Sequence, residues 1–185
     1  MSSTFTASLD LNLLATELFT AGVSRGPIRT NILSNVRMAT GTSDGQINKA
    51  WYKRYTGIGA STTTSIDLIG SLLDTSGDVI NFDEVVLIFV RNLSSTAVNY
   101  IEVGPHATNG FGVLASNRGV WKDVSDRSIV PADSTADATG GGAFFLWYNV
   151  AGVPAAAGST DILAIITGGS ASAATFEVLI LGRDN

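Results

Sequence analysis

Residues 85–91 read VVLIFVR, and this stretch decides the fold class. Six apolar side chains follow one another without a polar interruption, and three of them are valine. The run is too short for a buried helix and has the β-branched, aromatic content of a strand. Because the side chains of a strand alternate between two faces, an unbroken apolar run leaves neither face for water. It predicts a central strand covered on both sides.

Outward from it, strand signals recur at short spacing between turn residues. Upstream lie residues 50–58 (AWYKRYTGI), 62–69 (TTTSIDLI) and 79–82 after the turn at Gly77-Asp78. Downstream lie residues 100–103, 128–130, 143–148 (AFFLWY), 162–167 and 175–181. The polar stretch 92–96 (NLSST) reads as a hairpin loop, and 168–174 (GGSASAA) as the turn of a terminal hairpin. No amphipathic helix of ten residues is legible after residue 50, and no strand–helix alternation, so a parallel nucleotide-binding sheet is disfavoured. Some eight strands with long connections predict an all-β protein, a single jelly-roll β-sandwich over residues 50–185. An immunoglobulin-like sandwich is the runner-up, without the Cys–Trp–Cys pattern.

Residues 1–49 read differently. Residues 4–11 (TFTASLDL) alternate like a strand, while Leu13, Leu14, Leu18 and Phe19 also fit one face of a short helix. The breaks at Gly26-Pro27, Gly41 and Asp44-Gly45 favour a strand followed by an irregular, extended N-terminal arm. Residues 1–54 carry six basic and three acidic groups. Residues 55–185 carry five basic and thirteen acidic ones, so a net +3 is joined to a net −8. The arm's apolar side chains, Phe5, Leu9 and Leu11 among them, are expected to need a partner surface, with Arg25, Arg29 and Arg37 facing acidic groups there.

Composition removes several chemistries. The 185 residues include no Cys and one His, so disulfides, thiolate nucleophiles, Cys-based zinc sites and multi-His metal sites are excluded. The single histidine, His106, follows Gly104-Pro105 in a loop and reads as a polar surface group. No phosphate-cradling glycine motif opens a helix. The acidic pairs Asp83-Glu84, Asp123/Asp126 and Asp133/Asp137 lack the calcium-loop pattern. A glycoside hydrolase needs two carboxylates, and sequence cannot pair any two of the sixteen here across the fold; Asp67 and Glu177, both in strand signals, read as solvent-facing or ion-paired. The basic residues are too sparse for nucleic acid, and the apolar runs far shorter than the ~20 residues of a membrane helix. The N-terminus has no signal-peptide pattern, so synthesis in the cytosol is expected. Catalytic residues, cofactor and metal are therefore expected to be none. Most aromatic residues fall in strand signals and read as core; Trp121, in the loop RGVWKDVSD, reads as an exposed ring in a protein interface.

Residues 50–92 carry a further pattern. Asp67, Leu68, Ile69 and Gly70 form a D-L-x-G element, Leu72 to Gly77 an L-x-D-x-x-G element, and Phe82 precedes the buried run. Downstream, Ile101 to Gly104 with Asn109 to Phe111, Pro131 with Gly140 to Phe145, and Gly158 to Ala164 with Ala173 to Gly182 continue it. This succession resembles the small cement or decoration proteins of tailed bacteriophages. The basic arm, the loop around Trp121 and the 131–143 connection depart from the short form of that pattern. The resemblance implies a non-enzymatic virion protein, a homotrimer bound to the major capsid protein on the outer capsid surface. Its candidate interface residues are Phe5, Leu9, Leu11, Arg25, Arg29, Arg37 and Trp121. A receptor- or carbohydrate-binding module of a phage tail or fibre, and a carboxylate hydrolase, are the readings from other classes.

Overall fold

The computed structural model describes residues 7–17, 28–74, 77–96, 98–113, 120–132, 143–168 and 173–184; for 7–17 and 28–36 the backbone course alone is described. The described elements are all strands: β1 (Ala7–Glu17), β2 (Ile28–Thr40), β3 (Gln46–Ile47), β4 (Lys49–Ile58), β5 (Thr63–Asp67), β6 (Leu72–Leu73) and β7 (Val79–Ile80). Then come β8 (Glu84–Asn92), β9 (Ile101–Pro105), β10 (Ser128–Val130), β11 (Phe144–Pro154), β12 (Ile162–Thr167) and β13 (Ala174–Arg183).

Eight of these strands form two antiparallel four-stranded sheets, in the orders β11-β8-β13-β4 and β10-β9-β12-β5. The core lies between them. Val85, Ile88, Val90, Phe176, Val178 and Ile180 of the first sheet share one buried cluster with Ile66, Ile101, Val103, Val130, Leu163 and Ile165 of the second. Phe82, Phe111 and Trp121 belong to the same cluster.

The VVLIFVR run is central, between β11 and β13, as its composition requires. A bulge shares its side chains between the two faces. Leu87 pairs with Leu181 but Val85 with Gly182, which leaves Val86 as the extra residue. Val85, Ile88 and Val90 therefore enter the inter-sheet core, whereas Val86 and Leu87 join a second cluster on the outer face. Gly182 is required at the bulge, because a Cβ there would lie 2.3 Å from the Glu84 carbonyl oxygen and 2.6 Å from the Phe82 ring.

Three expectations are corrected. Residues 28–40 are not an irregular arm: β2 pairs with β1 over eleven antiparallel positions, from Ala7 opposite Met38 to Glu17 opposite Ile28. The apolar alternation in residues 28–40 is diluted by asparagine and serine, which hides the period. The strands flanking 92–96 and 168–174 are not hairpin partners: β8 and β9, like β12 and β13, pair in different sheets, and residues 169–172 lie outside the described residues. Loop length and composition cannot tell a hairpin from an arch between sheets.

Buried side chains hold the arches together. Asn92 is wholly buried; its Nδ2 donates to the carbonyls of Asn99 (2.8 Å) and Val130 (3.1 Å), and its Oδ1 accepts from the Ser94 amide (3.0 Å). The Ser94 hydroxyl accepts from the Thr175 amide at 3.0 Å, which ties the two arches to each other. Asn92→Ala would leave two buried carbonyls and one amide without these partners. It is expected to destabilise the protein by about 2–4 kcal/mol, read as a lower midpoint in urea unfolding. An unchanged midpoint would show that the arch does not depend on this side chain.

Candidate interaction surface on the outer sheet face

The outer face of the β11-β8-β13-β4 sheet follows from strand alternation and register. One row across it is Tyr52, Leu179, Phe89 and Leu146; the next is Ala50, Leu181, Leu87 and Tyr148. On the other side of the first row lie Arg54, Glu177, Arg91 and Phe144. Two apolar rows thus border one charged row on a face that points away from the core.

Cover on this face is uneven. Near the start of β4, Met38 and Ile47 pack over Val86, Leu87 and Leu181 and are themselves buried. Further along, Tyr52 is 58% exposed and Phe144 54%. The Phe89 and Phe144 rings meet at 5.7 Å and form the centre of an aromatic patch. Leu179, Phe89 and Leu146 are half-buried, so the patch is a partly exposed apolar band, and a contiguous band of this kind marks a contact surface.

The charged row orients the patch. Arg91 pairs with Glu177 at 3.7 Å, and the Tyr52 hydroxyl donates to Glu177 Oε2 at 3.0 Å. That hydrogen bond, with help from desolvation and the carboxylate's charge, holds the Tyr52 phenol above its ordinary range. Glu177 is thus ion-paired, as expected from sequence.

A buried cation closes the covered end. Arg183 is 1% exposed; its Nη2 meets Glu84 at 2.6 Å and donates to the Ala151 carbonyl, while Nη1 pairs with Asp44 at 3.6 Å and donates to the Ser43 carbonyl. These bonds draw the 41–46 turn down onto the sheet end and so seat Ile47. Gly152, at φ +71°, leaves room for the guanidinium, because a Cβ there would stand 2.7 Å from Nη2.

The remaining sequence candidates are placed as follows. Trp121 corrects the expectation of an exposed ring: it is buried, stacks on Phe145 at 6.0 Å, and fills the sandwich end against Gly112. Sequence missed this because the strand that receives the ring, β11, is distant in the chain. Arg37 is exposed at the end of β2. Leu9, Leu11 and Arg29 lie in the β1–β2 ladder, whereas Phe5 and Arg25 fall outside the described residues. His106 is half-buried, and its Nδ1 accepts from the Thr108 amide at 3.2 Å.

Asp67 and Glu177 do not share a cleft: Asp67 lies on the second sheet and accepts from the Ile69 amide, while Glu177 faces outward from the first. Asp123 and Asp126 accept amides of their own loop, and the hydrogen bonds from Ser125 hold Asp123 below the usual carboxylate range. Asp133 and Asp137 fall outside the described residues. Among the described residues no group of three or more acidic or histidine side chains is placed to hold a metal, and no helix is long and apolar enough to cross a membrane.

A cleft of about 300 Å³ opens between the edges of β4 and β5, lined by Trp51, Lys53, Tyr55, Ser65, Asp67 and Leu73. The Lys53 amine lies 5.1 Å from the centre of the Tyr55 ring, which stacks on Phe176. Burial pushes the Tyr55 phenol up. Sequence marked these aromatics as strand residues and had no signal for the gap between two sheet edges.

A scan against protein-family models, a search of curated proteins and a search of solved structures each return no match.

The two raised phenols have different causes and separate experimentally. In Glu177→Gln the Tyr52 titration midpoint is expected to fall toward its ordinary value, with Tyr55 unmoved, in an ultraviolet alkaline titration. Because the folded value is raised, the Tyr52–Glu177 bond contributes at pH below the ordinary tyrosine pKa and is lost as pH climbs through the folded one. An unchanged Tyr52 midpoint in the variant would remove Glu177 as the cause.

Proposed function

We propose that this chain is a structural virion protein, a cement or decoration protein that binds the outer surface of a tailed-phage capsid as a homotrimer and stabilises the shell. The observation that carries the reading is the partly exposed apolar band on the outer sheet face, with Tyr52 and Phe144 open, together with a paired N-terminal hairpin. A surface of that kind is suited to permanent contact with other protein.

The fold proposed with it is a single jelly roll. The strand orders support it: β4-β13-β8-β11 faces β5-β12-β9-β10, and the chain passes between the two sheets at most connections, as in two interlocked Greek keys. The sequence pattern running from Asp67 through Gly182 supports the phage family. On this reading the protein is made in the host cytoplasm, works without cofactor, metal or catalytic residues, and ends on the particle. Capsid attachment gains from trimerisation, because three linked contacts bind far more tightly than one. Each contact then needs no more than a standard interface of ~800 Å² per partner.

The test combines mass and attachment. Light scattering of the purified protein is expected to give three times the chain mass of 19.2 kDa. The protein is expected to co-sediment saturably with undecorated phage shells and to raise the temperature at which they break. A monomer at every concentration together with no co-sedimentation would overturn the reading. Binding to host surface sugars in place of shells would favour the receptor-binding alternative.

A further inference from the structure

The β1–β2 hairpin has two unlike faces by register. Leu9, Leu11 and Leu13 fall opposite Val36, Ser34 and Ile32 on one face of the ladder, which ends at Ala7 and Met38. Ser8, Asp10, Asn12, Leu14 and Thr16 fall opposite Arg37, Asn35, Leu33, Asn31 and Arg29 on the other, where two leucines stand among eight polar residues. An isolated two-stranded hairpin is marginally stable in water. One with a largely aliphatic face calls for a surface to lay it on.

Two observations say which surface. Met38 is the last position of the aliphatic face, and its side chain is 3% exposed against Val86, Leu87 and Leu181 on the outer sheet face. The aliphatic face of the hairpin is therefore continuous with the covered end of that sheet. The direction of the chain then carries the hairpin away from its own sheet. β2 runs parallel to β3, with Thr40 level with Ile47, and β3 leads directly into β4. Residues before Met38 thus extend past the end at which β4 begins, opposite to the open row at Tyr52, Phe89 and Phe144. Eleven paired positions span about 35 Å at 3.4 Å per residue, longer than a four-stranded sheet is wide.

We propose that the hairpin of one copy lies with its aliphatic face on the open outer row of a second copy, and that this exchange of arms joins the subunits. The row it covers is Tyr52, which is exposed, with Leu179, Phe89 and Leu146, which are half-buried. The polar face, with Arg29 and Arg37, is left to solvent or to a further partner. The same contact repeated around a closed ring buries every hairpin and every open row. The proposal deepens the homotrimer part of the functional reading and rests on self-association alone; attachment to shells is measured separately.

The chain has no cysteine, so introduced pairs report contact without background. Leu11→Cys and Phe89→Cys, made in separate chains, mixed and oxidised, are expected to form a disulfide between the two variants. Disulfide formation requires Cα atoms within about 7 Å. Asn12→Cys, on the opposite face of the ladder, is expected to cross-link to Phe89→Cys roughly ten-fold less, since that geometry is not met. Both cysteines in one chain are expected to give covalent oligomers. An internally bridged monomer would place the arm on its own body and overturn the proposal, as would equal cross-linking of the two faces. Leu11→Asp in the full chain supplies an independent reading: it is expected to shift the oligomer to monomer in light scattering, while Asn12→Asp leaves it intact. A Leu11→Asp protein that keeps the oligomer mass overturns arm exchange even if shell binding persists.

Discussion

A β-sheet whose central strand is apolar on both faces has to be covered on both, and that requirement organises this molecule. The β8 strand has no polar position between Val85 and Val90, and the bulge at Val86 shares its side chains between the two faces. The inner face is met by the second sheet, which the chain builds strand by strand as it crosses back and forth. Among the described side chains, the outer face is covered at one end, by Met38 and Ile47. Burying a large aliphatic or aromatic side chain stabilises by roughly 1.5–3 kcal/mol, so the uncovered row is a standing incentive to recruit more protein.

The covered end is held by a charge rather than by apolar contact alone. Arg183 sits beneath the 41–46 turn with Glu84, Asp44 and two backbone carbonyls around its guanidinium. A buried cation costs desolvation energy unless it is paired and hydrogen-bonded, and losing one partner leaves the rest uncompensated. The arrangement is therefore position-specific: it fixes where the turn lies, and with it where β2 enters and which way the hairpin points. A similar role falls to Asn92 at the opposite end of β8, where one side-chain amide ties the 92–99 arch to β10.

The chemistry-bearing residue types are largely absorbed by structure. Glu177 serves Arg91 and Tyr52, Asp67 serves a backbone amide in its turn, Asp123 and Asp126 close their own loop, and Trp121 fills the sandwich end. What these roles leave open is a surface, the aromatic row, together with a cleft at the β4–β5 edge. On the proposed reading, surface and hairpin serve to hold neighbours.

The local facts were legible in the sequence. The apolar run at residues 85–90, the strand signals at 62–69 and 175–181, and the glycine-bounded turns placed most of the strands of the two sheets. The absence of cysteine and the single histidine bounded the chemistry before any fold was known. These features act over a few residues, through backbone propensity and burial, so they can be read along the chain. Which strands pair, and which loops are arches, was decided only in three dimensions. The polar stretch 92–96 looks like a hairpin until Asn92 is seen bonded to Val130, thirty-eight positions away. Trp121 looked exposed because its own loop is polar, and Phe145, which covers it, arrives from a distant strand. The outer row combines Tyr52, Leu179, Phe89 and Leu146 from four strands, so no window of sequence contains it. Local periodicity determines which side chains must leave water; only the tertiary pairing decides which of them find cover within the chain and which are left for another.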